Sequence, residues 1–394
     1  MKIDHTRLQR LESLAVKHTK SGEFSSIEWR VSHREQVVAS GIRGKADALT
    51  NADLPVDPIY RIYSMTKPIV SVIALQLIEE GVLSLATPVA MYLPAVAEMQ
   101  VLNGAVTTPV KEVMTVEHLL THRAGFSYDF LPDCPVAVAY RAAHLAETGT
   151  ITLQELVDSL IDKPLCFEPG SAWKYSYSID VLARVLELAT GVTLPELLCS
   201  RVLEPCGMTN TGFTVSSAEQ HRLLPMFGQR LLGAEMVAVT DPQRLYPLDC
   251  DTSHPVHDHN FVRGGHGLYS TADDYMRFLP VLMTGRTANG DPLLSAPMVE
   301  LMWNNRIPQR QQPLKIGLNQ LAGYGWSLFG RVMVNTGQAM QLTMQGEGGW
   351  AGAAATYFWV DREREFSGLV MTQYLGATVP VGEQFSTAAY QSLV

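Results

Sequence analysis

Residues 59–81 read IYRIYSMTKPIVSVIALQLIEEG. A short β-rich run, Ile59 to Tyr63, leads directly into Ser64. From there a helix through Glu80 is apolar on nearly every side (Ile69, Val70, Val72, Ile73, Leu75, Leu77, Ile78) and is stopped by Gly81. A helix without a polar face belongs deep in a core, so the rest of the chain must wrap it. Upstream, Ile27 to Val31 and Gln36 to Ile42 are β-rich runs divided by Ser32-His33-Arg34-Glu35, which predicts a hairpin. The first twenty residues place Leu8, Leu11 and Leu14 at helical spacing among charges and read as a surface helix rather than a secretion signal. Downstream to about residue 250 the signals are mainly helical. Thr152-Leu153-Gln154-Glu155 reads as a capping box, and Ser178 opens a helix that ends at Gly191. Thr271-Ala272-Asp273-Asp274 reads as a second capping box. Gly323 to Val334, Ala353 to Val360 and Phe366 to Gln373 then return to β character.

Strands at both ends of the chain predict an α+β fold: one antiparallel sheet built from the two ends and flanked by helices, with a mainly helical second lobe. The expected division is 1–80 with 251–394 for the sheet lobe and 81–250 for the helical lobe, with the active site in the cleft between them. The 394 residues, 46% of them hydrophobic and only 18% charged, supply ample core material for such a body. A formal charge of -9 excludes the electrostatics of nucleic-acid binding, and no apolar run is long enough to cross a bilayer. Five cysteines (134, 166, 199, 206 and 250) form no CxxC pair and suggest a reducing, cytoplasmic setting.

Ser64 and Lys67 stand three residues apart at the start of the central helix and so share one face. A serine hydroxyl becomes a nucleophile when a base takes its proton, and a lysine in a partly dry site serves that purpose. The helix start adds N–H groups where negative charge develops during acyl transfer. Ser171 and Lys174 repeat the spacing, but in a turn after Glu168-Pro169-Gly170, which favours Ser64. The plain alternative makes Ser64 an N-cap and Lys67 a solvated residue. Tyr175, just before the helix at Ser178, is a second candidate base, its phenolate favoured by a nearby cation such as Lys67. Gly346 to Gly352 (GEGGWAG) allows close backbone approach to a ligand, or else is a bulged edge strand. His254, His257 and His259 form a metal-like cluster whose spacing matches no standard zinc motif, and a hydrated loop is the simpler reading. No Gly-x-Ser-x-Gly elbow and no phosphate or dinucleotide loop occurs.

Taken together, these phrases resemble the serine β-lactamase-like superfamily, specifically the family VIII carboxylesterases related to class C β-lactamases. The similarity runs from about Tyr60 to Gln373: Tyr63 to Pro68, Gly81 to Leu85, Tyr92 to Pro94, His118 to Gly125, Glu168 to Gly170 with Tyr175-Ser176, Gly207 to Phe213, Gly264 to Thr271 and Thr356 to Asp361, in order. The resemblance implies Ser64 as nucleophile, Lys67 as its activating partner and Tyr175 as the catalytic tyrosine. It also implies an oxyanion hole from the backbone N–H groups of Ser64 and Trp350, with Gly349, Tyr177 and Tyr128 among the substrate-binding residues. Two departures bear on specificity. Tyr175-Ser176-Tyr177 stands where β-lactamases carry Tyr-x-Asn, and Glu347-Gly348-Gly349 or Trp350-Ala351-Gly352 stands where they carry Lys-Thr-Gly. The first loses an amide, and Glu347 in place of a lysine would reverse the charge that grips a β-lactam carboxylate.

The expectation is therefore a hydrolase acting on a small uncharged ester through an acyl-enzyme on Ser64, with no cofactor, metal, nucleic-acid or membrane partner. The same acyl-enzyme could instead serve an acyltransferase, a weak β-lactamase or a D-amino-acid peptidase. A metallohydrolase using His254, His257 and His259, or an inert binding module, are readings from other classes.

Overall fold

The computed structural model describes residues 1–132, 134–237, 242–257 and 260–394. Its frame is a seven-stranded antiparallel sheet: β1 (Ser26–His33), β2 (Gln36–Gly44), β3 (Tyr324–Trp326), β4 (Arg331–Met333), β5 (Gly348–Ala351), β6 (Tyr357–Asp361) and β7 (Phe366–Met371), in spatial order β3-β4-β5-β6-β7-β1-β2. The chain ends meet where β1 pairs with β7, from Glu28 opposite Met371 to His33 opposite Phe366. β1 and β2 are joined through Arg34 and Glu35, both at positive φ, the backbone of a two-residue turn matched to strand twist.

Both faces of this sheet are covered, which is why β6 and β7 read as nearly continuous apolar runs. Tyr357 and Trp359 point to one side, where Trp29 and two helices, α1 (His5–Lys20) and α6 (Val381–Tyr390), close the layer through Leu8, Leu11 and Phe385. Phe358 and Val360 point to the other side, onto α5 (Ala272–Thr284) through Tyr275, in an apolar cluster that extends to α2 (Thr66–Glu79), α3 (Leu153–Ile161) and α4 (Ser178–Thr190). Residues Thr66 through Leu77 of α2 are buried without a break, and Gly81 follows at φ +75°. The segment 81–250 is not purely helical: Met226–Gly228 pairs in parallel with Tyr374–Leu375, and Phe227 packs in the cluster under α1. Among the described residues no helix is long and apolar enough to cross a membrane.

Candidate active site

The approach to α2 is strained. The strand expected over 59–63 shortens to Tyr60–Arg61, paired with Tyr269–Ser270. Tyr63, fully buried, then takes φ +42°, costly for an aromatic residue, and opens a 3-10 turn through Met65. That turn leaves Ser64 partly exposed between buried neighbours. Ser64 makes no capping hydrogen bond, since Met65 occupies the N-cap position, so the plain N-cap reading does not describe it.

Lys67 points back along the helix to Ser64. Its Nζ lies 3.1 Å from Ser64 Oγ, 2.9 Å from the Tyr128 hydroxyl and 2.6 Å from the carbonyl of Gly265. It also sits 4.7 Å from the Tyr175 ring centre. The amine is buried, not solvated. Burial pulls its pKa down to about 7, against the opposing pull of Asp180, a buried carboxylate in the first turn of α4. Asp180 is itself pushed up by burial, with Lys67 pulling it back. The Gly265 N–H donates to Asp180 Oδ1 (2.9 Å), so the carboxylate holds the loop whose carbonyl holds the lysine. Only glycine fits there: a Cβ on residue 265 would stand 2.4 Å from Asp180 Oδ2 and 3.0 Å from the Tyr128 hydroxyl.

Tyr175 completes the constellation. Burial raises its pKa, opposed by hydrogen bonds with Ser64 and with Trp350, whose indole N–H donates to the phenol oxygen at 2.9 Å. At rest it is therefore a neutral phenol. Its ring is walled by His122 (4.7 Å between centres), Trp350 (5.1 Å), Tyr128 (5.2 Å) and Trp326 (6.0 Å). His122, at φ +56°, contacts Ser176 Oγ at 3.3 Å, and burial drives its pKa well down, so it is a neutral wall. Beyond Trp173, which packs on Trp326, a recess of about 290 Å³ opens beside the tyrosine segment, lined by Leu131, Lys174, Pro313 and Leu314.

The other sequence candidates separate. Ser171 is exposed and donates its hydroxyl to the Glu168 carbonyl at 2.7 Å. Tyr177 is buried behind Tyr128, its hydroxyl on Asp129 Oδ2 at 3.2 Å, which keeps it off the reacting atoms. Gly349 is a packing position: it pairs with Arg331, and a Cβ there would meet the Phe358 carbonyl at 2.2 Å.

Trp350 enters through its indole rather than its backbone N–H. Gly352 N–H donates to the Thr356 carbonyl, and hydrogen-bonded pairs alternate along an antiparallel ladder, so Trp350 N–H is aimed at Phe358, its register partner. Glu347 does not face the cleft. It is fully buried in a cluster with Arg331, accepting from Thr343 Oγ1 (2.8 Å) and the Tyr324 hydroxyl (3.2 Å), so it reverses no charge toward substrate.

His254 is boxed in by the rings of Tyr63 (5.0 Å), Tyr269 (4.8 Å) and Phe261 (5.0 Å), whereas His257 is exposed against Gln220; His259 lies outside the described residues. The sequence reading missed Asp180, Gly265, His122 and Trp326. An acid in the first turn of a predicted helix was the available signal for Asp180. Gly264-Gly265 and His122 stood in phrases noted only for their order.

A profile of the Beta-lactamase family matches residues 11–389. Protein Rv1367c of Mycobacterium tuberculosis is 30% identical over 90% of this chain and 87% of its own length. Esterase EstB of Burkholderia gladioli is 27% identical over 91% of this chain and 89% of its own. Among solved structures, EstCE1, described as a hydrolase with promiscuous acyltransferase activity, matches with a TM-score of 0.80 at 23% identity, covering 98% of this chain and 99% of that one.

Proposed function

Because the chain belongs to the beta-lactamase family and carries its serine β-lactamase-like fold, we propose that it is a carboxylesterase working through an acyl-enzyme on Ser64. The observation that carries this reading is the buried Lys67 amine 3.1 Å from Ser64 Oγ. The Gly265 carbonyl can only accept, so one Lys67 N–H is committed to it, and a second reaches Tyr128. A neutral amine then has its lone pair left for the Ser64 proton. Lys67 takes that proton as Ser64 Oγ attacks the ester carbonyl. The Tyr175 phenol, oriented by the Trp350 indole, passes a proton to the leaving alkoxide and recovers it by way of Lys67. Water, deprotonated by the same groups, then releases the acid and regenerates Ser64.

The oxyanion sits between the Ser64 N–H and a second donor, which we assign to Ala353 in place of Trp350. Ala353 is exposed in the turn after β5, its N–H has no acceptor among the described residues, and a Cβ on the preceding Gly352 would stand 2.4 Å from the Ile62 carbonyl, which brings this turn against the Ser64 approach. An indole on Tyr175 offers no positive charge to a β-lactam carboxylate, which supports an ester as the substrate. Assaying p-nitrophenyl butyrate and a chromogenic cephalosporin on one preparation tests this: ester turnover should exceed cephalosporin turnover by orders of magnitude, and comparable rates would overturn it.

The pH profile follows from Lys67. The base form is required, and its pKa is lowered to about 7, so kcat/KM for the ester should fall about tenfold per pH unit below about 7 and level off above it. A profile flat down to pH 5 would remove Lys67 from the role of base.

An acyltransferase shares every step to the acyl-enzyme and differs in accepting an alcohol in place of water. The acyltransferase activity in the description of EstCE1 favours this second reading. Adding a small alcohol to the ester assay and analysing the products for the transferred acyl group separates the two.

A further inference from the structure

Cys134 and Cys166 are 32 residues apart in the chain, yet their sulfurs lie 3.6 Å from each other, both as free thiols. Each sits on a segment that ends in the site. Cys134 Sγ is 3.3 Å from Ser127 Oγ, and Ser127 is followed by Tyr128, the hydroxyl on Lys67. The Ser127 carbonyl in turn accepts from Tyr177 N–H (3.2 Å). Cys166 N–H donates to the Gly125 carbonyl (2.7 Å), and its segment runs on through Glu168-Pro169-Gly170 to Tyr175.

We propose that Cys134 and Cys166 are a peroxide-oxidisable dithiol whose disulfide staples the Tyr128 and Tyr175 segments and lowers turnover at Ser64. The consequence for turnover rests on the esterase reading above; the bond itself does not. Cys134 is the attacking thiol: it stands at the N-terminus of the helix Pro135–Ala142, and hydrogen bonds from Cys166 and Ser127 bring its pKa down to about 5 despite burial. Its thiolate attacks one oxygen of hydrogen peroxide, giving a sulfenic acid and, with a proton, one water. The Cys166 sulfur then attacks the sulfenic sulfur, losing its proton, and the departing hydroxide takes that proton as the second water. Two thiols and one peroxide thus become one disulfide and two waters. Cys166 is partly exposed, which leaves a small oxidant a path to the pair. An S–S bond of about 2 Å draws the sulfurs together by roughly 1.5 Å. A shift of that size in the Ser127-Tyr128 backbone acts on the Tyr128 contact that orients Lys67.

The test treats purified protein with hydrogen peroxide, maps tryptic peptides, and follows p-nitrophenyl butyrate hydrolysis before and after dithiothreitol. Expected are a cross-linked peptide pair joining residues 134 and 166, about a tenfold fall in kcat, and recovery of both on reduction. Cys134→Ser should form no cross-link and its rate should resist the same treatment. Absence of the cross-link, or a cross-link with unchanged kcat in an enzyme that hydrolyses the ester, overturns the proposal. A reversible cross-link in a protein with no ester activity at all leaves the thiol pair in place and refutes the esterase reading instead.

Discussion

Ser64→Ala is expected to lower kcat for p-nitrophenyl butyrate by at least about 10³-fold, or about 4 kcal/mol of transition-state stabilisation, while leaving the thermal midpoint close to that of the parent. The asymmetry follows from position. Ser64 is partly exposed, caps no helix and hydrogen-bonds through its hydroxyl to Lys67 and Tyr175, so little packing is lost when its oxygen goes. The reaction loses the atom that becomes covalently attached, and only donor groups and binding remain to favour hydrolysis by water. A fluorophosphonate probe should label Ser64 in the parent and nothing in the variant. Ser171→Ala, which removes the hydroxyl of the other Ser-x-x-Lys, should keep parental turnover, because that oxygen is turned onto the Glu168 carbonyl. Ester turnover by Ser64→Ala within a few-fold of the parent would end the reading of an acyl-enzyme on Ser64.

What could be read from the chain was what local spacing fixes. Ser64 and Lys67 meet because helical periodicity puts residues three apart on one face, and Thr152 with Glu155 forms its reciprocal cap for the same reason. The second expected capping box shows where local patterns stop. Thr271 does accept from Asp274 N–H, but the Asp274 side chain turns away to Asn210 N–H (2.7 Å) and Thr211 Oγ1 (2.9 Å), partners more than sixty residues distant. Glu347 failed for a related reason. Its place opposite the lysine of Lys-Thr-Gly suggested a cleft residue, while the groups around it come from three separate places: Tyr324 on β3, Arg331 on β4 and Thr343 in the loop before β5. The strand expected from Ala353 begins only at Tyr357, because residues 352–355 are a turn closed by Ala355 N–H on the Gly352 carbonyl. The Asp180–Gly265–Lys67 chain was out of reach for the same cause: its three members come from three segments, and only the folded loop brings a carbonyl to the amine.

That buried Glu347 leads to the largest expected effect on stability. Arg331 on β4 is 5% exposed, its guanidinium 4.3 Å from the Tyr324 ring centre and hydrogen-bonded to the Tyr357 hydroxyl. Glu347 is 0% exposed, and burial raises its pKa, with Arg331 the first influence holding it down. Arg331→Met keeps much of the volume and removes the cation, so a carboxylate is left in a dry interior with the hydroxyls of Thr343, Tyr324 and Tyr390 but without the Arg331 charge. The expected cost is about 3–5 kcal/mol, read as a lowered guanidinium chloride midpoint. Its pH dependence has a definite sign. A carboxyl whose folded pKa is raised destabilises once the unfolded chain ionises, so the variant should lose ground to the parent as pH rises from about 4 toward 8. Arg331→Met/Glu347→Gln, which removes the charge and keeps acceptor capacity for Thr343 and Tyr324, should recover most of the loss at pH 8. A double variant no more stable than the single one would show that packing rather than charge explains the cluster. Trp350 stands three residues beyond Glu347 on the same segment, so the single variant should also raise KM or lower kcat for the ester, through the loosened indole that orients Tyr175.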